Sequence, residues 1–283
     1  VGSLKLSLLF IATSLLFSCG EKKAAPEATP SEVLENKRIQ TADLQSILDS
    51  AKVKGAIVIM DSRAKTLYSN DFDWAGIQRL PASTFKIPNS LIALETGVVQ
   101  HDSTLFKWNG EERYLKVWEQ DLTFNQAFHY SCVPCYQEVA LKIGVKRMKY
   151  YLKEFRYGAM KVDSTNIDHF WLEGTSKISP LQQINFLQRF YESKLPISKR
   201  TEALMKSLMV IEKKEAYSLS GKTGWATANN TDNGWFVGYV EIGGNPYFFA
   251  TNIEPLPDFD MKRFAAIRKE VTMAALQQIG ILK

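Results

Sequence analysis

Cysteine is scarce, with three residues in 283, which excludes a mini-domain stapled by disulfides. Histidine is equally scarce, and His101, His129 and His169 are scattered along the chain. No His and Cys residues cluster at metal-ligand spacing, so no metal site is expected. Long runs of like charge are also missing. The formal net charge is +5, but 30 acidic residues are spread among 35 basic ones. Without a basic stripe, no nucleic-acid partner is expected. The 16 glycines and 10 prolines follow no fixed period, which excludes collagen-like and repeat architectures. Beyond the N-terminal segment no stretch approaches 18 apolar residues, so no second membrane span is expected. What is present is a core: 45% of residues are hydrophobic and 12% aromatic. Disorder as the main state is thereby excluded, and the length suits one large domain or two small ones.

Residues 1–19 look like an address. Lys5 precedes an apolar run from Leu6 to Phe17, too short for a comfortable bilayer span but suited to an export signal. The run ends Leu16-Phe17-Ser18-Cys19-Gly20, which resembles a bacterial lipobox, so Cys19 is expected to become a lipidated N-terminus. The alternative is an ordinary signal peptide cleaved further on. Residues 20–38 are polar, rich in Pro and Ala, and read as a flexible tether. The folded domain is then expected over 39–283, held at the periplasmic side of a bacterial cell envelope by a lipid anchor.

Gly55–Met60 and Thr66–Tyr68 flank a turn and predict an antiparallel hairpin. Between about 84 and 210 apolar residues recur at spacings of three and four. They predict helices over Phe85–Glu95, Val133–Ile143, Lys146–Phe155 and Pro180–Tyr191. Strand patterns return at Ala216–Lys222, Gly234–Ile242 and Tyr247–Ile253, and a helix over Met261–Ile279 closes the chain. Strands at both chain ends with helices between them predict an α+β fold: a central antiparallel sheet flanked by helices, with an inserted helical region.

Three short motifs carry chemistry. In Ser83-Thr84-Phe85-Lys86, Ser and Lys three apart share one helix face. A serine hydroxyl is a weak nucleophile and needs a base beside it. Lys86 serves only if its proton is removed. The plain alternative is a helix-capping Ser83 and a solvated Lys86. Ser131-Cys132-Val133 offers a hydroxyl able to relay a proton, or merely a helix cap. Lys222-Thr223-Gly224 is expected at the end of a late strand, where Lys and Thr can face a carboxylate and Gly224 admits a ligand to the strand edge. Its alternative is a β-turn.

Each motif is common alone, but the three in this order and spacing resemble the penicillin-recognising serine enzymes, and among them the class D β-lactamases, or oxacillinases. Tyr157-Gly158, the segment Ile167–Gly174 containing Trp171, and Asn252-Ile253 followed by Lys262-Arg263 extend the resemblance over roughly 50–280. It implies a β-lactamase/transpeptidase-like fold and hydrolysis of β-lactams through an acyl-enzyme on Ser83. It further implies that Lys86 is N-carboxylated by carbon dioxide or bicarbonate, with no separate cofactor, and is the general base for acylation and deacylation. Burial would keep that lysine neutral. Phe85, Val133, Trp171 and Leu172 supply an apolar pocket, and the Trp171 indole N–H can bond the carbamate. Ser131 and Lys222 would pass a proton to the lactam nitrogen, and Thr223 and Arg263 would hold the substrate carboxylate beside Gly224. The backbone N–H groups of Ser83 and Ala226 would form the oxyanion hole.

Two features depart from that pattern. Ala159 stands where the family has Asn after Tyr-Gly, which touches local hydrogen bonding. Cys132 and Cys135 make a C-x-x-C that the family does not require, open to three readings: reduced packing residues, a disulfide, or a redox motif. The competing function is a penicillin-sensing receptor, which is acylated and not turned over; a cell-wall transpeptidase is a third. A single export segment and an apolar Val133 beside Lys86 favour the hydrolase, working as a monomer or homodimer.

Overall fold

The computed structural model describes residues 1–2 and 36–283. The apolar run, Cys19 and nearly all of the expected tether lie outside the described residues.

In chain order, β1 (Lys37–Gln40) and α1 (Ala42–Ser50) precede the hairpin β2 (Val53–Asp61) and β3 (Thr66–Ser69), followed by α2 (Phe72–Gly76). A 3-10 turn, Ala82–Phe85, runs straight into α3 (Lys86–Glu95). A small ribbon of β4 (Leu105–Phe106) and β5 (Leu122–Thr123) comes next. It leads into α4 (Phe124–His129), α5 (Val133–Ile143), α6 (Val145–Glu154), α7 (Pro180–Tyr191) and α8 (Lys199–Leu208). The chain then returns as β6 (Val210–Lys213), β7 (Ser218–Ala228), β8 (Thr231–Ile242) and β9 (Asn245–Pro255), and ends with α9 (Phe264–Gln278).

The main sheet has seven strands in the order β1-β3-β2-β9-β8-β7-β6. Strands β2 and β9, from opposite ends of the chain, pair from Val53–Pro255 to Asp61–Tyr247. The expected antiparallel sheet needs one correction: β1 pairs with β3 in parallel, so the sheet is mixed at that edge. The same strand begins at Lys37, two residues inside the stretch read as tether.

Strand periodicity sorts side chains into two layers. Ala56, Val58 and Met60 face the helical insertion with Trp235, Val237 and Tyr239. Ile57 and Ile59 face the other way and pack with Phe236, Phe249 and the apolar stripes of α1 and α9. With helices on both faces, the central strands read as continuous apolar runs, not as alternating ones. Asn229 and Asn230, at φ +52° and +58°, make the two-residue turn between β7 and β8, as a tight hairpin requires. This hairpin carries Lys222-Thr223-Gly224 past the start of α3.

Candidate active site

Ser83 lies in the 3-10 turn, not at a capping position; no side chain caps that turn. Its neighbour Ala82 holds φ +49°, a conformation unfavourable for a residue with a Cβ. Ala82 N–H is fixed by the Trp171 carbonyl at 2.9 Å, and Thr84 Oγ1 donates to Pro81 O at 2.6 Å while accepting from Gln183 Nε2 at 2.9 Å. These bonds hold the nucleophile's turn in place. A Cβ on Gly224 would come within 3.1 Å of Pro81 O and Thr84 Cγ2, so glycine lets β7 run this close to the turn without pushing it aside.

Lys86 is not a solvated surface residue: it is fully buried. Its Nζ donates to Ser83 Oγ at 3.1 Å and lies 5.1 Å from the Tyr136 ring centroid. Burial lowers its pKa to about 7, because an ammonium without water is disfavoured. Phe85 stacks on Trp171 at 5.2 Å and meets Phe170 edge-on at 4.8 Å. Val133 and Leu172, both partly buried, pack against the same cluster. Within it, Trp171 Nε1 is a buried donor without a hydrogen-bond partner. Buried indole N–H groups normally find one.

Ser131 occupies a three-residue link between α4 and α5, at φ +54°. The cap of α5 is Cys132, not Ser131: Cys132 Sγ accepts the N–H of Cys135. Cys132 and Cys135 are joined as a disulfide, which closes the question their spacing left open. Ser131 Oγ accepts from Lys222 Nζ across the cleft, and Lys222 also donates to Thr223 O at 3.1 Å. Lys222-Thr223-Gly224 sits in the middle of β7, not at a strand end or in a turn. Burial holds the Lys222 pKa well below the ordinary lysine value, and the charges of Lys86, Arg268 and Lys269 push it further down.

Two expected site residues are not where the chemistry needs them. Arg263 belongs to a 3-10 turn at the start of α9 and pairs with Glu270 at 2.8 Å, largely in solvent. It lines a groove of about 480 Å³ between α1 and α9, away from the Ser83 turn. Seven residues separate Arg263 from Glu270, which puts both on one side of the helix. The arginine that reaches Lys222-Thr223-Gly224 is Arg268. It is nine-tenths buried, and its Nη1 donates to Gly224 O at 2.6 Å. Its stem crosses Gly234, where a Cβ would meet its Cδ at 2.9 Å. Burial lowers its pKa to about 10. The sequence signal was the phase of α9: Phe264, Ile267, Arg268 and Val271 share the buried stripe, and a charge in an apolar stripe needs a reason.

Ala226 is the second correction. Gly221 N–H bonds to Met209 O on the β6 side of β7. Backbone N–H groups alternate in direction along a strand, and β7 pairs with β8 without a register shift from Ser218 to Ala228. The N–H of Ala226 therefore points into the β8 ladder, and that of Trp225 points to the open edge beyond β6. The Ala226 side chain packs with Leu80 and Ala82 instead.

The seven-stranded sheet covered by helices on both faces, with a serine and a lysine one turn apart at the head of α3 and a second Ser–Lys pair facing them, defines a penicillin-binding transpeptidase domain. The model of that family, the penicillin binding protein transpeptidase domain, matches residues 51–273. β-Lactamase OXA-10 of Pseudomonas aeruginosa is 40% identical over 233 residues, covering 81% of this chain and 86% of its own. β-Lactamase OXA-48 of Klebsiella pneumoniae is 39% identical over 231 residues, covering 82% and 85%. The structure of a class D β-lactamase from Sebaldella termitidis is similar at TM-score 0.82 and 38% identity, covering 88% of this chain and 100% of that one. A class D β-lactamase structure from Nostoc gives 0.81 at 43% identity, covering 84% and 99%. The chain belongs to the class D β-lactamases.

Proposed function

We propose that this enzyme hydrolyses β-lactams through an acyl-enzyme on Ser83, with Lys86 as the proton acceptor. The observation that carries the reading is a fully buried lysine, 3.1 Å from the serine hydroxyl and with a pKa lowered to about 7. An amine that is neutral near neutral pH can take a proton; an ammonium cannot. Ser83 Oγ attacks the lactam carbonyl carbon and gives up its proton on the Lys86 side. As the C–N bond breaks, Ser131 and Lys222 deliver a proton to the lactam nitrogen. The developing oxyanion lies between the N–H groups of Ser83 and Trp225. Thr223 and Arg268 hold the substrate carboxylate at the open edge of β7, the place first given to Arg263. Water then attacks the acyl carbonyl, and Ser83 recovers its proton as it leaves.

A neutral amine in an apolar pocket also adds carbon dioxide at Nζ, releasing a proton. The partnerless Trp171 Nε1 is the donor that would hold a carboxylated Lys86, between Val133 and Leu172. Carboxylation would place an anionic oxygen beside Ser83 as the proton acceptor for both half-reactions. The rival reading, a receptor that stays acylated, separates from this one by deacylation. Mixed with excess penicillin and followed by intact mass, the protein should return to its free mass once substrate is spent. A lasting adduct would identify a receptor or transpeptidase.

The apolar run ending at Cys19 supports a lipid-anchored protein of the bacterial envelope, facing the periplasm. Cys19→Ala should move it from the membrane to the soluble periplasmic fraction; retention on membranes would rule out that anchor.

A further inference from the structure

The disulfide beside Ser131 has no part in the chemistry above, yet it adjoins the relay on which that chemistry rests. Ser131 holds a backbone conformation that its neighbours must maintain. It takes a left-handed φ of +54°, which a residue with a Cβ leaves readily unless held. On its N-terminal side the link is tied to α4 by Ser131 N–H to Phe128 O at 3.2 Å and Cys132 N–H to Ala127 O at 2.9 Å. On its C-terminal side the tie is Cys132, completely buried at the cap of α5. A helix cap is normally an oxygen that accepts the N–H two or three residues on. Here sulfur receives the Cys135 N–H at 3.3 Å, and sulfur is a weak acceptor. The covalent bond to Cys135 supplies the hold that a sulfur acceptor lacks. Cys135 in turn belongs to a helix whose Tyr136, Val139 and Ala140 are buried in the core.

We propose that the Cys132–Cys135 bond is a covalent helix cap that positions Ser131 against Lys222 for proton transfer. This rests on reading Ser131 and Lys222 as the proton relay. The cysteines are positioning residues: they act through the turn that presents Ser131 Oγ.

The test is a cycle of variants in the full chain. The double variant Cys132→Ala/Cys135→Ala should lower the acylation rate with a penicillin by about tenfold, within the penalty that slight misplacement of a reacting group carries. Cys132→Ser/Cys135→Ala restores an oxygen cap without the disulfide and should recover most of that loss. Both double variants are then made in a Ser131→Ala background. A positioning role predicts no further loss there, because the group being positioned is gone; a merely structural role predicts the same fold-loss again. Additive losses, or a Cys132→Ala/Cys135→Ala enzyme that acylates at the wild-type rate, would overturn the proposal and leave the serine mechanism standing. A Ser131→Ala enzyme with wild-type acylation would overturn the relay and this proposal together.

Discussion

Two lysines lie within reach of the reacting groups, and their surroundings differ. Lys86 sits among Phe85, Trp171 and Tyr136, with Ser83 Oγ as its hydrogen-bond acceptor. Lys222 sits on a strand, hydrogen-bonded to Ser131 and Thr223, and close to Lys86, Arg268 and Lys269. Both are held below the ordinary lysine pKa. For Lys86 the cause is burial alone; for Lys222 it is burial first and then neighbouring cations. The difference assigns their roles. Burial among apolar groups, with Ser83 Oγ as its bonded neighbour, gives Lys86 an amine able to accept a proton or carbon dioxide. Cationic crowding is instead offset when an anion arrives, so a substrate carboxylate would raise the Lys222 pKa and favour the protonated lysine, which can then give a proton to the lactam nitrogen through Ser131.

The largest effect tests what both lysines serve. Ser83→Ala should abolish turnover, because Ser83 Oγ is the hydroxyl bonded to Lys86 Nζ, whereas Ser90 Oγ is buried against Tyr136 OH. Initial rates with a penicillin check this, and clear residual hydrolysis would place the nucleophile elsewhere. The next sharpens the apolar side. Trp171→Phe keeps the stacked ring and removes the partnerless N–H. Deacylation should slow on the order of a hundredfold, with acyl-enzyme accumulating in intact-mass traces. Val133→Thr should act in the same direction and less strongly, by admitting polarity to the pocket. Deacylation at the wild-type rate in Trp171→Phe would assign Trp171 to packing alone.

The two lysines should also separate by pH. With a pKa of about 7, Lys86 is mostly neutral above that value and mostly ammonium below it. Between pH 8.5 and pH 5.5 its neutral fraction falls by about thirtyfold. Activity should fall with it on the acid side, and added bicarbonate should restore much of the rate by mass action, with a carbamate carbon signal at Lys86. Bicarbonate should not rescue Lys222→Ala, whose defect lies in protonating the leaving nitrogen. A rate at pH 5.5 that ignores bicarbonate, without a carbamate signal, would remove carboxylation from the mechanism and leave serine acylation intact.

Much of this was legible because local signals agreed. Helices α5 and α7 run over the residues expected, Val133–Ile143 and Pro180–Tyr191. Spacing, a proline in the first turn of each and, for α7, the Ser179–Gln182 capping box all point the same way. Helices α1, α2, α4 and α8 were not delimited, although α4 and α8 fall in the stretch read as helical. Helix α1 buries only Leu44 and Leu48, too weak a stripe to read. Strand β1 is four residues, two of them basic, and pairs in parallel with β3, so no hairpin turn announces it. At the site, Ser83, Lys86, Ser131 and Lys222 could be placed from motif chemistry. The donors around them depend on phase: strand parity turns Ala226 N–H away from Ser83, and helix phase turns Arg263 away from β7.

That last point gives the smallest effect and the cleanest contrast. Arg263 ends the 3-10 turn that leads into α9 and Arg268 lies on α9 five residues later, but their surroundings are opposite. Arg263 holds an exposed ion pair with Glu270, and exposed pairs contribute about 0–1 kcal/mol. Arg268 forms no ion pair among the described residues, is buried, and donates to Gly224 O within the motif that faces the substrate. A buried guanidinium without a carboxylate partner is poised for an anion from outside. Arg268→Ala should therefore raise KM by roughly tenfold, in line with about 1.5–3 kcal/mol for a hydrogen bond to a charged group, with little change in kcat. Arg268→Lys should recover part of the loss, because it restores the charge without the planar fork. Arg263→Ala should leave KM and kcat at their wild-type values. The reverse pattern, with KM moved by Arg263→Ala and untouched by Arg268→Ala, would return the carboxylate to Arg263 and require α9 to rotate when substrate binds.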